Sequence, residues 1–152
     1  LFYEFGQEGA SRKIARKICQ VRHHGRITTT RTLARAVESV FETGKARVVG
    51  KIHPATRVFQ ALRVAVNREL ENLELFLAAA SDCLRVGGKL AVISFHSLED
   101  GIAKRCFRGG GAAKVWKEIT KEPVVADEAE RRRNPRSRSA KLRVAQRVEA
   151  AS

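Results

Sequence analysis

Gly87-Gly88-Lys89-Leu90-Ala91-Val92-Ile93-Ser94-Phe95-His96-Ser97-Leu98-Glu99-Asp100 is the stretch whose reading decides the fold. The glycine pair stops any helix arriving from upstream, because glycine loses the most backbone freedom in a helix. Leu90 to Phe95 is then a nearly continuous apolar run of strand length. Such runs mark strands buried on both faces, as in parallel sheets covered by helices. Ser97 offers a hydroxyl that caps a following helix, with Asp100 three residues on as the partner of a short capping box. Glu99 and Asp100 in the first turn and Lys104, Arg105 and Arg108 in the last suit the helix dipole. Gly109-Gly110-Gly111 terminates that helix.

The pattern extends in both directions. Downstream, Val115 to Thr120 is a predicted strand holding the single tryptophan, Trp116. Pro123 to Arg133 reads as a charged, mobile loop, and Lys141 to Val148 as a closing strand. Upstream, Phe59, Leu62, Val66, Leu70, Leu73, Leu77, Ala80 and Leu84 step by three or four residues, a helical stripe opened by His53-Pro54 that is either one helix or two with a kink. Glu8 to Arg22 reads as a helix with Ile14, Ile18 and Val21 on one face. Thr28, Thr29 and Thr30 supply caps for a second helix over residues 31–42, striped by Leu33, Val37, Val40 and Phe41. Gly44 to Ile52 reads as a basic loop. Helix, glycine pair, buried strand, helix, strand and strand in that order predict the closing half of a doubly wound α/β sheet preceded by helices. A Gly-rich strand-to-helix turn that would cradle a cofactor does not occur, since Gly109 to Gly111 follows a helix.

Charge narrows the partner. The formal net charge is +14 over 152 residues. Arg12, Lys13, Arg16, Lys17, Arg22, Arg26 and Arg31 lie in one acid-free segment, and Arg131, Arg132, Arg133, Arg136, Arg138, Lys141, Arg143 and Arg147 in another. Solvating surface charge is usually interspersed with acids, so two acid-free clusters point to a polyanion, and phosphate contacts would supply affinity without choosing sequence. No apolar run reaches the length of a membrane span. Cys19, Cys83 and Cys106 lack the paired spacing of a metal site and are expected to be free, mostly buried thiols. His23-His24 has no further ligand at useful spacing, so no metal is expected. The absence of methionine leads to the expectation of a partial chain.

Three segments together resemble one family. They are His53-Pro54-Ala55-Thr56-Arg57-Val58-Phe59-Gln60-Ala61-Leu62-Arg63 with Asn67, Glu69 and Leu70; Gly87 to Leu90 running into Ser94 to Asp100; and Asn134-Pro135-Arg136-Ser137-Arg138-Ser139-Ala140-Lys141-Leu142-Arg143. In this order they are similar to the bacterial family that methylates N4 of a cytidine in 16S-type small-subunit rRNA. Phe5-Gly6 and Ala15-Arg16-Lys17-Ile18 look like that family's helical insert. The resemblance implies a class I, Rossmann-like fold dependent on S-adenosyl-L-methionine and interrupted by a helical domain. Residues 1–52 would be part of that rRNA-recognition insert, and 53–152 the C-terminal part of the catalytic domain. The family's donor loop, its ribose-holding acid and its proline-containing motif lie earlier. No cofactor-binding residue and no principal catalytic residue is therefore assigned here, and the chain alone is expected to be inactive.

The implied reaction is direct transfer, with the exocyclic amine of a cytosine taken out of its stack attacking the sulfonium methyl. Cleft-lining candidates are Ser94, His96, Ser97, Glu99 and Asp100, at the carboxyl edge of the predicted sheet. RNA-binding candidates are Arg12, Lys13, Arg16, Lys17, His53, Arg57, Arg63, Asn134, Arg136, Arg138, Ser139 and Lys141. The partner would be small-subunit rRNA or the ribosomal subunit, in the cytoplasm or alternatively a mitochondrion or plastid, without membrane or metal. A second reading is a stand-alone basic RNA-binding protein that has lost catalysis. A third, a structural RNA-binding protein, would be favoured if Leu90 to Phe95 lay on an exposed edge.

Overall fold

The computed structural model describes residues 1–42, 53–109 and 115–149. The basic loop expected from Gly44 to Ile52, the family-based boundary near Ile52, and Gly110-Gly111 lie outside them. The chain forms two compact units, Leu1–Glu69 and Leu70–Ser152.

The first unit is helical. Helices α1 (Phe2–Gly6), α2 (Ser11–His24), α3 (Thr30–Glu42) and α4 (Ala55–Asn67) surround Ile14, Val37, Val40, Ala55 and Val58. α2 begins at Ser11 rather than Glu8, because the Glu8 carboxylate accepts the Ala10 N–H at 2.8 Å and so serves the turn before the helix. The α3 stripe follows expectation: Val37 and Val40 are buried, with Leu33 and Phe41 packed beside them. α4 departs from it. Its buried positions are Ala55, Val58, Ala61 and Val64, with Phe59 and Leu62 of the expected stripe packed beside them, whereas Val66 is 80% exposed. The contact face is built of small residues, so a reading weighted toward large side chains selects the neighbouring stripe. Gly6 explains the choice: a Cβ there would stand 2.6 Å from the Arg57 carbonyl oxygen and 3.2 Å from the Ala61 Cβ. The long stripe, open in sequence between one helix and two, divides into two. Arg68 takes a left-handed conformation, φ 52 and ψ 40, and a new helix, α5, runs Glu69–Ala80.

The second unit is α/β. Strands β1 (Lys89–Ser94), β4 (Lys141–Arg147) and β2 (Trp116–Glu118) lie in the order β1-β4-β2, and short β3 (Val124–Val125) also pairs with β4. Every pairing is antiparallel to β4. β1 and β2 therefore run the same way on either side of it, connected through helix α6 (Ser97–Phe107). Gly87, at φ +85, makes the turn into β1, and its N–H donates to the Arg147 carbonyl at 2.9 Å. Only glycine adopts that φ without strain.

The register puts Leu90, Val92 and Ser94 on one face with Ala145, Arg143 and Lys141. α5 and α6 cover this face, burying Leu77, Ala80, Val92, Ile102, Ala103, Phe107, Trp116 and Ala145. Phe107 and Trp116 pack with ring centroids 5.9 Å apart, tilted by 59°. The other face is open among the described residues: Ala91 is exposed, Ile93 is 59% exposed, and Phe95 just beyond it is 53% exposed. The expectation of a strand buried on both faces in a parallel sheet is thus corrected. β1 is paired on one side only and covered on one face only, because the described chain supplies helices to that face alone.

The segment read as a loop contains regular secondary structure. Besides β3 it holds α7 (Glu128–Arg133), capped by Asp127, whose carboxylate accepts the Glu130 N–H at 2.7 Å. A 3-10 turn over Pro135–Ser139 leads into β4. Cys19 and Cys83 are exposed free thiols, and only Cys106 is partly buried, where desolvation pushes its thiol pKa up. No helix among the described residues is long and apolar enough to cross a membrane.

Gly6→Ala should destabilise the chain by about 1–3 kcal/mol, the usual cost of overpacking, because the obstructing atom is backbone and cannot rotate away. Urea unfolding followed by circular dichroism measures this; an unchanged midpoint would mean that α1 does not pack on α4 as described.

Candidate functional site

The β1-to-α6 turn is held by a reciprocal cap. His96, in extended backbone, is the N-cap, and its Nδ1 accepts the Glu99 N–H at 3.4 Å. Glu99 reaches back, and its Oε2 accepts the N–H groups of Phe95 at 2.8 Å and His96 at 3.3 Å. This replaces the expected Ser97–Asp100 box, with Ser97 as the first helical residue. Because Nδ1 is an acceptor, the neutral ring carries its proton on Nε2. Nε2 is buried and makes no hydrogen bond; Glu99 Oε1 stands 3.4 Å away, at charge-pair distance only.

Asp100 is released from capping because it has stronger partners. Its Oδ1 accepts from Arg143 Nε at 2.6 Å, and its Oδ2 from Arg143 Nη2 at 3.3 Å and Lys141 Nζ at 3.3 Å. The Arg143 side chain is 3% exposed and that of Asp100 is 11% exposed. Arg143 also has Glu118 at 3.9 Å, and the Glu118 carboxylate accepts from Arg108 Nε. The carbonyl of Lys121 accepts from both arginines. One buried network therefore ties α6 to β4 and β2. Hydrogen bonding from Arg143 holds the Asp100 carboxyl below the usual range, against the opposing effect of burial, and the nearby charges of Arg143 and Lys141 add to the lowering. The same bond raises the Arg143 pKa further. Ser94, buried beside this network, donates weakly to the Lys141 carbonyl at 3.4 Å.

The second unit thus brings together Ser94, His96, Ser97, Glu99, Asp100 and Lys141 where β1, β4 and α6 meet. Arg143, Glu118 and Arg108 complete the arrangement and were not singled out from sequence. Arg143 carried a readable signal. It alternates with Ala145 along β4, and a basic residue on the inward side of a strand needs a buried acid.

The basic candidates divide by occupation. His53 donates from Nε2 to Glu38 at 2.6 Å and accepts the Ala55 N–H at Nδ1, so it latches the start of α4. Arg57 donates to the Gln7 carbonyl at 3.3 Å, and Arg63 pairs with Glu69 through two bonds, at 2.8 and 3.0 Å. Lys141 is engaged by Asp100, and the Asn134 carbonyl accepts from Ser137. Lys13 on α2 is exposed but engaged. In contrast, Arg12 and Arg16 on α2 and Arg136, Arg138 and Ser139 in the 3-10 turn are exposed, and Lys17 is half-buried. Among the described residues Arg12, Arg16, Lys17, Arg136 and Arg138 make no ion pair.

Comparison with known proteins gives one consistent result. Residues 1–148 match the MraW methylase family. Curated relatives named ribosomal RNA small subunit methyltransferase H are similar over nearly the whole chain. The protein of Acaryochloris marina is 53% identical over 148 residues, covering 97% of this chain and 47% of its own length. That of Acidobacterium capsulatum is 51% identical, covering 96% and 47%, and that of Synechocystis 51% identical, covering 97% and 46%. The chain spans about half the length of the curated relatives it matches.

The ionised Asp100 stabilises the fold fully above the ordinary aspartate pKa of about 3.9, and this contribution is lost as the pH falls through its depressed folded value. Asp100→Asn strands the buried Arg143 charge and should cost about 3–5 kcal/mol at neutral pH. Its stability should then fall less steeply than that of the parent below about pH 4. Urea titrations across that range test both effects; parent and variant curves that coincide would remove the pair from any structural role.

Proposed function

The chain belongs to the MraW methylase family, and from that we propose that it works as part of a longer enzyme that methylates N4 of a cytidine in small-subunit rRNA. The observation that carries this reading is the match over residues 1–148, supported by relatives whose names specify the small ribosomal subunit's RNA. S-adenosyl-L-methionine supplies the methyl group in such an enzyme. The turn after β1 does not fit this donor. A donor carboxylate needs free backbone N–H groups at a helix start, and those of Phe95, His96 and Glu99 are already taken by the Glu99 and His96 side chains. We therefore place the donor loop in the half of the relatives that this chain does not span.

Two features of the second unit support a Rossmann-like assignment. Parallel β1 and β2 joined through a helix form a crossover of the doubly wound kind. The unpaired side of β1 and the open face carrying Ala91 and Ile93 suit further strands and helices from the longer protein. An exposed β1 taken alone would equally suit a structural RNA-binding protein, and the family match is what favours the enzyme reading. In that longer protein we assign residues 1–52 to the helical insert and 53–152 to the catalytic domain.

Ser94, His96, Ser97 and Glu99 would line the cleft at the carboxyl end of β1. Asp100 would act as a positioning residue, fixing α6 through Arg143. Of the candidates read from sequence, Arg12, Arg16, Lys17, Arg136 and Arg138 make no ion pair among the described residues and are available for rRNA phosphates, in a bacterial cytoplasm.

Titration of S-adenosyl-L-methionine into the 152-residue chain should give no measurable heat, while the full-length protein carrying this sequence should bind it and methylate small-subunit rRNA. Micromolar donor binding by the chain alone would relocate the donor site. A full-length protein that binds rRNA but never methylates it would favour a stand-alone RNA-binding role.

A further inference from the structure

We infer that the α2–α3 surface grips the phosphates of folded RNA and does not read bases. The inference rests on the rRNA reading above and adds to it the mode of recognition.

The first observation is the state of the cations. Arg12, Arg16, Arg22, Arg26, Arg31 and Arg35 are all exposed. Among the described residues none of them makes an ion pair. The contrast lies within the same unit: Arg57 and Arg63, which hold its helices, have carboxylate partners at 4.0 Å and 2.8 Å. Acids are absent from Ser11 to Arg31, so α2 cannot satisfy its own arginines through helical spacing. Unneutralised arginines held close together raise one another's electrostatic energy, a cost that a polyanion removes.

The second observation concerns what the surface lacks. Platforms for single-stranded bases are built mainly from rows of exposed aromatic rings. α2 contains no phenylalanine, tyrosine or tryptophan, its only rings being the imidazoles of His23 and His24 at its last two positions, and the aromatic residue of α3, Phe41, packs against the core. The hydroxyls of Thr29 and Thr32 bond each other at 2.8 Å, and Thr29 also takes the Thr32 N–H, so both serve the start of α3. Arg12 and Arg16 stand one turn apart on a helix that spans about 21 Å, a length suited to following a phosphate backbone.

The third observation selects RNA over a membrane. A basic helix that lies on a bilayer inserts its apolar face. Here that face is spent on the core: Ile14 and Val37 are each 0% exposed.

The test is fluorescence anisotropy with the 152-residue chain and two RNA hairpins of equal stem length and unrelated sequence. Both should bind within about threefold of each other, with the logarithm of affinity falling linearly in log salt. Arg12→Gln/Arg16→Gln/Arg35→Gln should weaken both hairpins tenfold or more and reduce the salt slope by about two to three, one contact for each arginine lost. A control of equal charge loss, Arg85→Gln/Arg105→Gln/Lys117→Gln, lies in the second unit on exposed positions and should leave affinity within about twofold, once circular dichroism shows both variants folded. A tenfold preference for one hairpin, equal losses in both variants, or tighter capture by anionic phosphatidylserine vesicles would overturn the inference while leaving the rRNA reading in place. Failure of the parent chain to bind either hairpin at about 50 mM salt would overturn the inference, whereas the rRNA reading stands or falls separately on methylation by the full-length protein.

Discussion

The second unit is organised around one buried ion pair. Arg143 projects inward from β4 and is almost wholly sheltered, so its charge has to be met where it lies. Asp100 meets it from the first turns of α6, with Lys141, Glu118 and Arg108 closing the network. Consequences spread outward from that demand. Asp100 is withdrawn from helix capping, Glu99 takes its place, and His96 becomes the N-cap at the end of β1. The backbone at the strand's carboxyl end is set by a charge pair one turn further along the helix.

Arginine has opposite uses in the two parts of the chain. Arg143, Arg108, Arg57 and Arg63 are joined to carboxylates and act as fasteners between elements. Among the described residues the arginines of α2 and the start of α3 have no such partners and stand in solvent, where they add to the positive field rather than to cohesion. Net charge alone hides this division. It registers both kinds equally, although only the second kind remains for a polyanionic partner.

The elements most legible in the sequence were those whose signal is local. Gly87-Gly88 followed by an apolar run gave a strand, and acids before bases gave the helix after it. The stripes of α2 and α3 needed only the spacing of their large apolar residues. Signals that depend on a partner were misread. The α4 face is made of small residues because Gly6 brings α1 against it, a closeness that α4's own spacing does not record. The break at Arg68 carries no glycine or proline to announce it. The region from Pro123 to Arg133 looked like loop because its short strand borrows hydrogen bonds from β4 and its helix is only one to two turns long.

By itself the sequence determined the class of each strong element, the basic surface and the family, since periodicity, caps, charge and ordered motifs are properties of neighbouring or aligned residues. Only the tertiary structure decided that the sheet is antiparallel about β4 and covered on one face. It alone showed that Asp100 serves Arg143 rather than a cap, and that His53, Arg57, Arg63 and Lys141 are already engaged within the protein. These depend on which residues distant in sequence come within hydrogen-bonding reach. A charged side chain takes its role from the charge it meets after folding, which its own position in the chain does not specify.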